Sequence, residues 1–139
     1  MNQSLIFLFA AIIIVGAILF AIICLTKKGS KRLDIEKYRA KCLEIEHQLK
    51  KDEPSSCHMA VLNADKLVDM ALKESGLRGD TMGERMKNAN NLFSDRDGIW
   101  RAHKLRNQIA HESDVVVSFG EAQKALTSFR RALKDLGAI

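Results

Sequence analysis

The sequence predicts an all-α protein in which a single amino-terminal transmembrane helix precedes a bundle of four to five helices. Residues 1–26 contain no charged side chain, so all 39 charged residues fall in the other 113 of the 139. In that charged part, apolar residues recur at helical spacings of three and four, and nothing alternates over more than a few positions. The length excludes a Rossmann-type or barrel enzyme, and three scattered cysteines exclude a disulfide scaffold.

The uncharged segment is long enough to cross a membrane. Residues 5–25 are 21 consecutive uncharged residues, which as a helix would rise about 31 Å against a bilayer core of roughly 30 Å. A cleaved signal peptide is the rival interpretation, but residues 1–4 lack the basic side chains that such peptides carry. Cys24 follows two isoleucines rather than the small residue of a lipoprotein signal. We therefore predict a retained anchor over residues 1–26, with the lipid bilayer contacting residues 5–25.

The distribution of charge predicts the orientation of this anchor. Four basic residues follow it closely: Lys27, Lys28, Lys31 and Arg32. Because basic residues favour the cytoplasmic side, we expect a single-pass protein of the cell inner (plasma) membrane, with its amino terminus outside and its carboxy-terminal domain cytoplasmic. The whole net charge of +5 lies within residues 27–51, since residues 52–139 are neutral. This local excess of basic residues thus indicates membrane topology and attraction to anionic lipid headgroups. It does not indicate a nucleic-acid-binding surface over the whole domain.

Residues 27–53 form a basic juxtamembrane segment that contains a predicted amphipathic helix at 32–51. This stretch lacks Gly and Pro, and its apolar residues form one narrow stripe. The stripe consists of Ile35, Tyr38, Cys42, Ile45 and Leu49. Only two heptads are present, so pairing with a second copy and packing against the following domain are both open interpretations.

Residues 54–139 are predicted to form the helical domain. Pro54, Ser55 and Ser56 mark a break, with a serine placed to cap the next helix. The apolar stripe of that helix is the widest in the domain, which predicts a central position in the core. Ser118 and Glu121 have the spacing of a capping box at the start of the last helix. The predicted helices are residues 56–75, 82–91, 97–111 and 118–137, with a short extended stretch at 115–117.

Polar, reactive side chains concentrate in WRAHKLRNQIAH, residues 100–111, near the end of the helix at 97–111. At about 100° per residue, His103, Asn107 and His111 fall within about 80° of one another, whereas Arg106 lies about 140° from His111. An Arg, an amide and a His suit a phosphodiester, because Arg contacts phosphate oxygens and His exchanges protons near neutral pH. Such a set would cleave RNA without a metal, through the 2′-hydroxyl, and would spare DNA.

The motif Arg106-Asn107-Gln108-Ile109-Ala110-His111 resembles the pattern of the HEPN superfamily, which is an Arg, a polar residue, three variable residues and a His. That superfamily comprises helical domains of many prokaryotic RNases, toxins and defence proteins. The stretches ADKLVDMALKESGLRGDTMGERMKNAN and WRAHKLRNQIAHE are also similar to small HEPN-type domains of membrane-anchored bacterial proteins, over about residues 55–139.

The resemblance implies that Arg106 and His111 are the catalytic pair of a metal-independent endoribonuclease and that Asn107 is a supporting polar residue. It also implies a homodimer in which two motifs face each other, with RNA as the substrate. Arg106 and His111 lie about 140° apart around one helix and so do not face the same point. In a dimer this separation is no obstacle, because Arg106 of one copy can act with His111 of the other.

Interpretations in which the same residues have no catalytic role remain open. Arg106 and Asn107 can be surface or packing residues, and His111 can interact with the dipole at its own helix end. The motif would then belong to a non-catalytic interaction or dimerisation module at the membrane. In a third interpretation the chain is a structural membrane protein, and the helix at 32–51 carries its function. His103 is expected to be a packing or solvent-facing residue, and Trp100 a core or interface anchor.

No cofactor or metal is predicted. His47 and His58 lie on different segments without the spacing of metal ligands. The glycines at 76, 79 and 83 lack the following Lys-Ser/Thr of a phosphate-binding loop, so no small-molecule cofactor is expected.

Overall fold

The computed structural model describes residues 2–26 and 32–139 of the chain. Over these ranges it contains six helices and no strand. The helices are α1 (Gln3–Thr26), α2 (Ile35–Gln48), α3 (Pro54–Glu74), α4 (Met82–Asn88), α5 (Arg96–His111) and α6 (Phe119–Asp135). The predicted all-α class, with an apolar amino-terminal helix and a helical bundle, is confirmed. Lys27, Lys28 and Lys31, which carried the orientation argument, lie outside the described residues.

The chain divides into two compact units, α1 and the bundle α2–α6, which are described separately. Helix α1 contains the segment Gln3–Cys24, whose 22 residues are long and apolar enough to cross a bilayer. Its large apolar side chains are exposed on all faces, Phe7, Ile13 and Phe20 among them. A helix that is apolar all round suits lipid contact. A signal sequence also meets this criterion of length and composition, so the retained anchor stays a prediction.

Helix α3 is the centre of the bundle and contacts α2, α4, α5 and α6. Its buried residues repeat at helical spacing and cover about half of its circumference. They are Ser56, Cys57, Ala60, Val61, Ala64, Asp65, Leu67, Val68, Ala71 and Leu72. One of them, Asp65, carries a charge, and it becomes important for the site described below.

The start of α3 differs from the prediction that a serine caps it. Glu53 occupies the N-cap position without a side-chain hydrogen bond, and Pro54 begins the helix. Ser56 lies inside the first turn, where its hydroxyl accepts a hydrogen bond from the Lys50 backbone N–H at 2.9 Å. The same hydroxyl lies 2.7 Å from the Glu53 carbonyl oxygen, to which it donates. The serine therefore fixes the connection between α2 and α3 instead of capping α3.

Helix α2 packs against α3 through the stripe that the sequence indicated. Tyr38 and Ile45 are buried, and Cys42 and Leu49 are partly buried. Ile35 is exposed, because it lies at the first position of the helix. Helix α2 therefore belongs to the bundle, and its hydrophobic stripe is covered within one chain.

The ends of the helices follow local capping chemistry. The predicted capping box of α6 is present: the Ser118 hydroxyl accepts from the Glu121 N–H, and the Glu121 carboxylate accepts from the Ser118 N–H. Gly76 ends α3 in the left-handed region, and the N–H of Leu77 reaches back to the Leu72 carbonyl oxygen at 3.1 Å. Helix α4 ends at Asn88, three residues earlier than the sequence suggested.

Candidate functional site

The motif lies on α5, and two features of that helix fix its position. Asp95 caps the amino-terminal end by accepting a hydrogen bond from the Gly98 N–H at 2.9 Å. Ile99 and Ala102 are buried, and α5 contacts both α3 and α6. With that face in the core, the neighbouring residues on the α3 side are partly exposed and can meet both protein and solvent.

The carboxylate of Asp65 joins two motif residues to α3. Its Oδ1 lies 2.8 Å from Nδ1 of His103, and its Oδ2 lies 3.2 Å from Nε of Arg106. The Asp65 side chain is only 4% exposed. A buried carboxylate needs such partners, since an unpaired charge in the interior is costly. One side chain of α3 therefore sets the positions of two side chains that lie one turn apart on α5.

Arg106 keeps part of its guanidinium available at the surface. Its side chain is 36% exposed, and its Nε lies 3.2 Å from Oδ2 of Asp65. Nη1 donates a hydrogen bond to Oδ1 of Asn107 at 2.9 Å. Across residues 2–26 and 32–139 no hydrogen bond engages Nη2 of Arg106 or Nδ2 of Asn107. Arg106 and Asn107 together thus present N–H donors of the kind that bind phosphate oxygens.

His103 is held more tightly than the sequence suggested. Its side chain is 12% exposed, with Nδ1 on Asp65 and the ring packed edge-on against Trp100, 6.3 Å between ring centroids. A proton on Nδ1 satisfies the carboxylate, so the neutral imidazole carries its free lone pair on Nε2. His103 is thus neither a bare packing residue nor a freely solvated one.

His111 lies apart from this cluster. It is the last residue of α5 and is exposed, and no described residue makes a hydrogen bond to its ring. It lines an open depression of about 640 Å³ together with three carboxylates, those of Glu112, Asp114 and Glu121. Arg106 is not among the residues of that depression. Within one chain, the structure brings Arg106 and Asn107 together but does not add His111.

Sequence reasoning missed Asp65 altogether. A signal was present, because this acidic residue falls within the apolar stripe of α3, next to Ala64 and two residues before Leu67. A charge on a buried stripe requires a partner elsewhere in the fold. The partner was not readable, since His103 and Arg106 follow 38 and 41 residues later in the chain.

The described part of the chain contains no cluster of three or more His, Cys, Asp or Glu side chains able to hold a metal ion. No protein-family model matches the chain, and no curated protein or solved structure shows significant similarity to it. The chemistry open to the site is thus judged from the side chains themselves, which are an oriented Arg, an amide and two histidines.

Proposed function

We propose that the chain is a membrane-anchored, metal-independent endoribonuclease of the HEPN type that acts as a homodimer. The observation that carries this proposal is the side-on pairing of Arg106 with the buried carboxylate of Asp65. In that pairing Nε lies nearest the carboxylate and Nη1 bonds Asn107, while no described residue bonds Nη2, which is left for a ligand. An arginine fixed in this way is preorganised for a phosphate, because it need not reorient when the substrate binds.

Each motif residue has a role in this reaction. Arg106 holds the scissile phosphate and stabilises the charge that develops on its oxygens. Asn107 accepts a hydrogen bond from Arg106 at 2.9 Å and so supports its orientation. His111, which is exposed at the end of α5, exchanges a proton with the reacting oxygens. The nucleophile is the RNA 2′-hydroxyl, so DNA is not a substrate.

The separation of Arg106 and His111 supports the homodimer. They share no hydrogen bond, and Arg106 does not line the depression in which His111 lies. A second copy related by a two-fold axis supplies the same surface in reverse, so that Arg106 of one copy can face His111 of the other. Two equivalent sites result from one such interface.

The location of the enzyme rests on α1 and on the charge that follows it. In this proposal α1 is a single span of the cell inner membrane, with the amino terminus outside and the bundle in the cytoplasm. RNA is present on that side of the membrane, so substrate and bundle share a compartment.

Full-length protein in detergent micelles, incubated with RNA in excess EDTA, tests the activity. We expect cleavage that is lost in Arg106→Gln and in His111→Gln, and that stops at a position where one 2′-deoxynucleotide replaces the ribonucleotide. His47→Gln is a matched control, because His47 is likewise an exposed histidine in the last turn of a helix. Absence of EDTA-resistant cleavage by an intact dimer would contradict the proposal, as would cleavage unchanged by both substitutions.

A second function, a non-catalytic interaction module at the membrane, is favoured by the depression around His111. Of the described residues that line it, three are acidic and none is Lys or Arg, which opposes a phosphate by charge. Val116 lies there with 85% of its surface exposed, an apolar side chain suited to a protein partner.

The two functions give opposite results with one pair of variants. In an interaction module, His111→Ala and Val116→Ser weaken self-association or capture of a partner, and no nuclease activity exists to be lost. In the nuclease, His111→Ala abolishes RNA cleavage while the Val116 change leaves the chemistry intact. Sedimentation of the full-length chain in detergent, run beside the cleavage assay, separates the two.

A further inference from the structure

We propose that His103 is the general base of the RNA cleavage and that it acts on one phosphate together with His111 of a second copy. This inference rests on the proposed nuclease function and adds a catalytic residue to it. The motif resemblance implies one catalytic histidine, His111. Cleavage by an internal 2′-hydroxyl nevertheless involves two proton transfers, so a single histidine leaves one of them without a protein group.

The geometry at Asp65 is what marks His103 for this role. Oδ1 of the buried carboxylate lies 2.8 Å from Nδ1 of His103, which fixes the ring and places the lone pair of the neutral imidazole on Nε2. A carboxylate that orients an imidazole in this way is a recurrent arrangement for a histidine base. The other oxygen, Oδ2, holds Arg106. Base and phosphate-binding group are therefore positioned by one side chain and lie one helical turn apart.

Distance along α5 decides which His111 can join them. His103 and Arg106 are three residues apart, about 4.5 Å along the axis, whereas His103 and His111 are eight apart, about 12 Å. A proton donor and acceptor for one phosphodiester must both lie within hydrogen-bond reach of its oxygens. His111 of the same chain is therefore too far along the helix. The two-fold partner reverses the direction of the second α5 and can bring its own His111 to the phosphate held by Arg106.

The resulting step is balanced in atoms and charge. The 2′-oxygen attacks phosphorus, forming a P–O2′ bond, and its proton passes to Nε2 of His103. The P–O5′ bond breaks, and the 5′-oxygen takes a proton from the protonated His111 of the second copy. The products are a 2′,3′-cyclic phosphate and a 5′-hydroxyl, and both histidines re-equilibrate with water. Arg106 neutralises the added charge on the phosphate oxygens throughout.

A change of leaving group separates the two histidines. We compare ordinary RNA with RNA that carries sulfur in place of the bridging 5′-oxygen, because a thiolate leaves without needing a proton. His111→Gln is expected to cleave ordinary RNA about 10²–10⁴-fold more slowly than wild type, and to recover to within about tenfold on the sulfur substrate. His103→Asn is expected to stay slow on both. Its amide N–H₂ can replace Nδ1 as the donor to Asp65 while no Nε2 remains to accept a proton.

Mixing the two inactive variants tests whether the histidines come from different copies. After exchange of subunits between equal amounts of His103→Asn and His111→Gln, half of the dimers are mixed, and each mixed dimer has one intact site of two. We expect activity to return to about a quarter of the wild-type value. If both histidines acted from one chain, every site in the mixture would lack one of them and no activity would return. A His103→Asn chain that restores activity in this way must itself be folded.

The outcomes distinguish this inference from the function on which it rests. Wild-type rates for His103→Asn, with His111→Gln and Arg106→Gln still inactive, would overturn the role of His103 and leave the nuclease in place. Recovery of His103→Asn on the sulfur substrate would make it the acid and overturn its assignment as base. No return of activity on mixing would overturn the shared site. Absence of cleavage by the wild type would overturn both proposals. Should His103→Asn fail to form a dimer, His103→Gln replaces it in both assays, and His47→Asn is the control.

Discussion

Arg106 on α5 contacts Asp65 on α3 through Nε, 3.2 Å from Oδ2, and this ion pair is buried at one end and open at the other. The Asp65 side chain is 4% exposed and the Arg106 side chain 36% exposed. Two partners offset the cost of desolvating this carboxylate: the charge of Arg106, and His103, whose Nδ1 lies 2.8 Å from the other oxygen. The same arrangement that joins α3 to α5 thus keeps the terminal N–H groups of Arg106 near the surface.

Replacing Asp65 by Asn should destabilise the bundle. The amide keeps the shape but offers one acceptor instead of two and removes the charge that Arg106 faces, so we expect a loss of about 1–3 kcal/mol in free energy of unfolding. Urea unfolding of the full-length chain in detergent measures it, and Asp52→Asn, at an exposed acidic position, is the control. If the two variants unfold at the same urea concentration, the buried carboxylate is not a structural link.

Replacing Arg106 by Lys should separate phosphate binding from stability. A lysine ammonium cannot hold Asp65 side-on while presenting further planar donors, so we expect RNA cleavage to fall about 10²–10³-fold. The free energy of unfolding should change by less than about 1 kcal/mol, because the arginine is partly solvated. Arg101→Lys, at an exposed position of α5, is the control in the same cleavage and unfolding assays. Cleavage by Arg106→Lys at the wild-type rate would remove Arg106 from the site.

Features set by neighbours in the sequence were predictable. The spacing of Tyr38, Cys42 and Ile45 identified the apolar face of α2, because helical periodicity is a local property. Ser118 and Glu121 identified the start of α6 for the same reason. The serine cap of α3 was wrong because Ser56 instead meets the backbone of Lys50, a contact set by how the chain enters the helix.

Features set by contacts between helices were not predictable. His103 and Arg106 both lie in the helix predicted at 97–111, but helical angles contain no information about which residue of α3 faces them. The link through Asp65 depends on the packing of α3 against α5, which the periodicity of either helix leaves free. The separation of Arg106 from His111 was visible as an angle of about 140°, and the structure likewise leaves the two apart within one chain.

Gly98 should tolerate no side chain. A Cβ at this position would clash with the carboxylate of Asp95, which caps α5 and also pairs with Arg131 at 3.2 Å. We expect Gly98→Ala to lower the free energy of unfolding by about 1–2 kcal/mol through loss of the cap. Gly120→Ala is the matched control in α6, because a Cβ there meets nothing within 4 Å. That change should stabilise by about 0.5–1 kcal/mol, since Gly is a poor helix residue. Equal effects of the two substitutions in urea unfolding would contradict the packing at Asp95.

The capping box of α6 should give the bundle part of its acid sensitivity. The hydroxyl and the backbone N–H of Ser118 both donate to Glu121, and these hydrogen bonds hold the pKa of its carboxyl below the ordinary value. A lowered pKa in the folded state means that the stabilisation is present above the unfolded pKa of about 4.3 and is lost as pH falls through the folded pKa.

Ser118→Ala tests this acid sensitivity. We expect it to cost about 1 kcal/mol at pH 7, through loss of the cap. The gap in unfolding free energy between wild type and variant should narrow as pH falls from 5 towards 3. Unfolding curves across that range measure the gap, with Ser113→Ala, in the exposed turn before α6, as control. A gap that is constant with pH would show that Glu121 takes no part.

Helix α1 should hold the full-length chain in the membrane. With an uncleaved α1 we expect the 15.6 kDa chain to remain in the membrane fraction after alkaline carbonate extraction. Ile13→Lys with Ile14→Lys should release it, because each charge near the centre of a span costs about 2.5–3.5 kcal/mol. The same change at two exposed apolar residues of the bundle, Leu43 and Val116, is the control and should leave the chain in the membrane.

Two further readouts on this preparation test the anchor and its orientation. A chain shortened by the length of α1, measured by mass spectrometry, would identify a cleaved signal sequence and contradict the anchor. Protease added to intact spheroplasts should leave the bundle uncut and should digest it only after lysis, because the bundle is expected on the cytoplasmic side. Digestion before lysis would show that the bundle lies on the outer side of the membrane. It would then be separated from cytoplasmic RNA, which would contradict both the predicted topology and the proposed nuclease function.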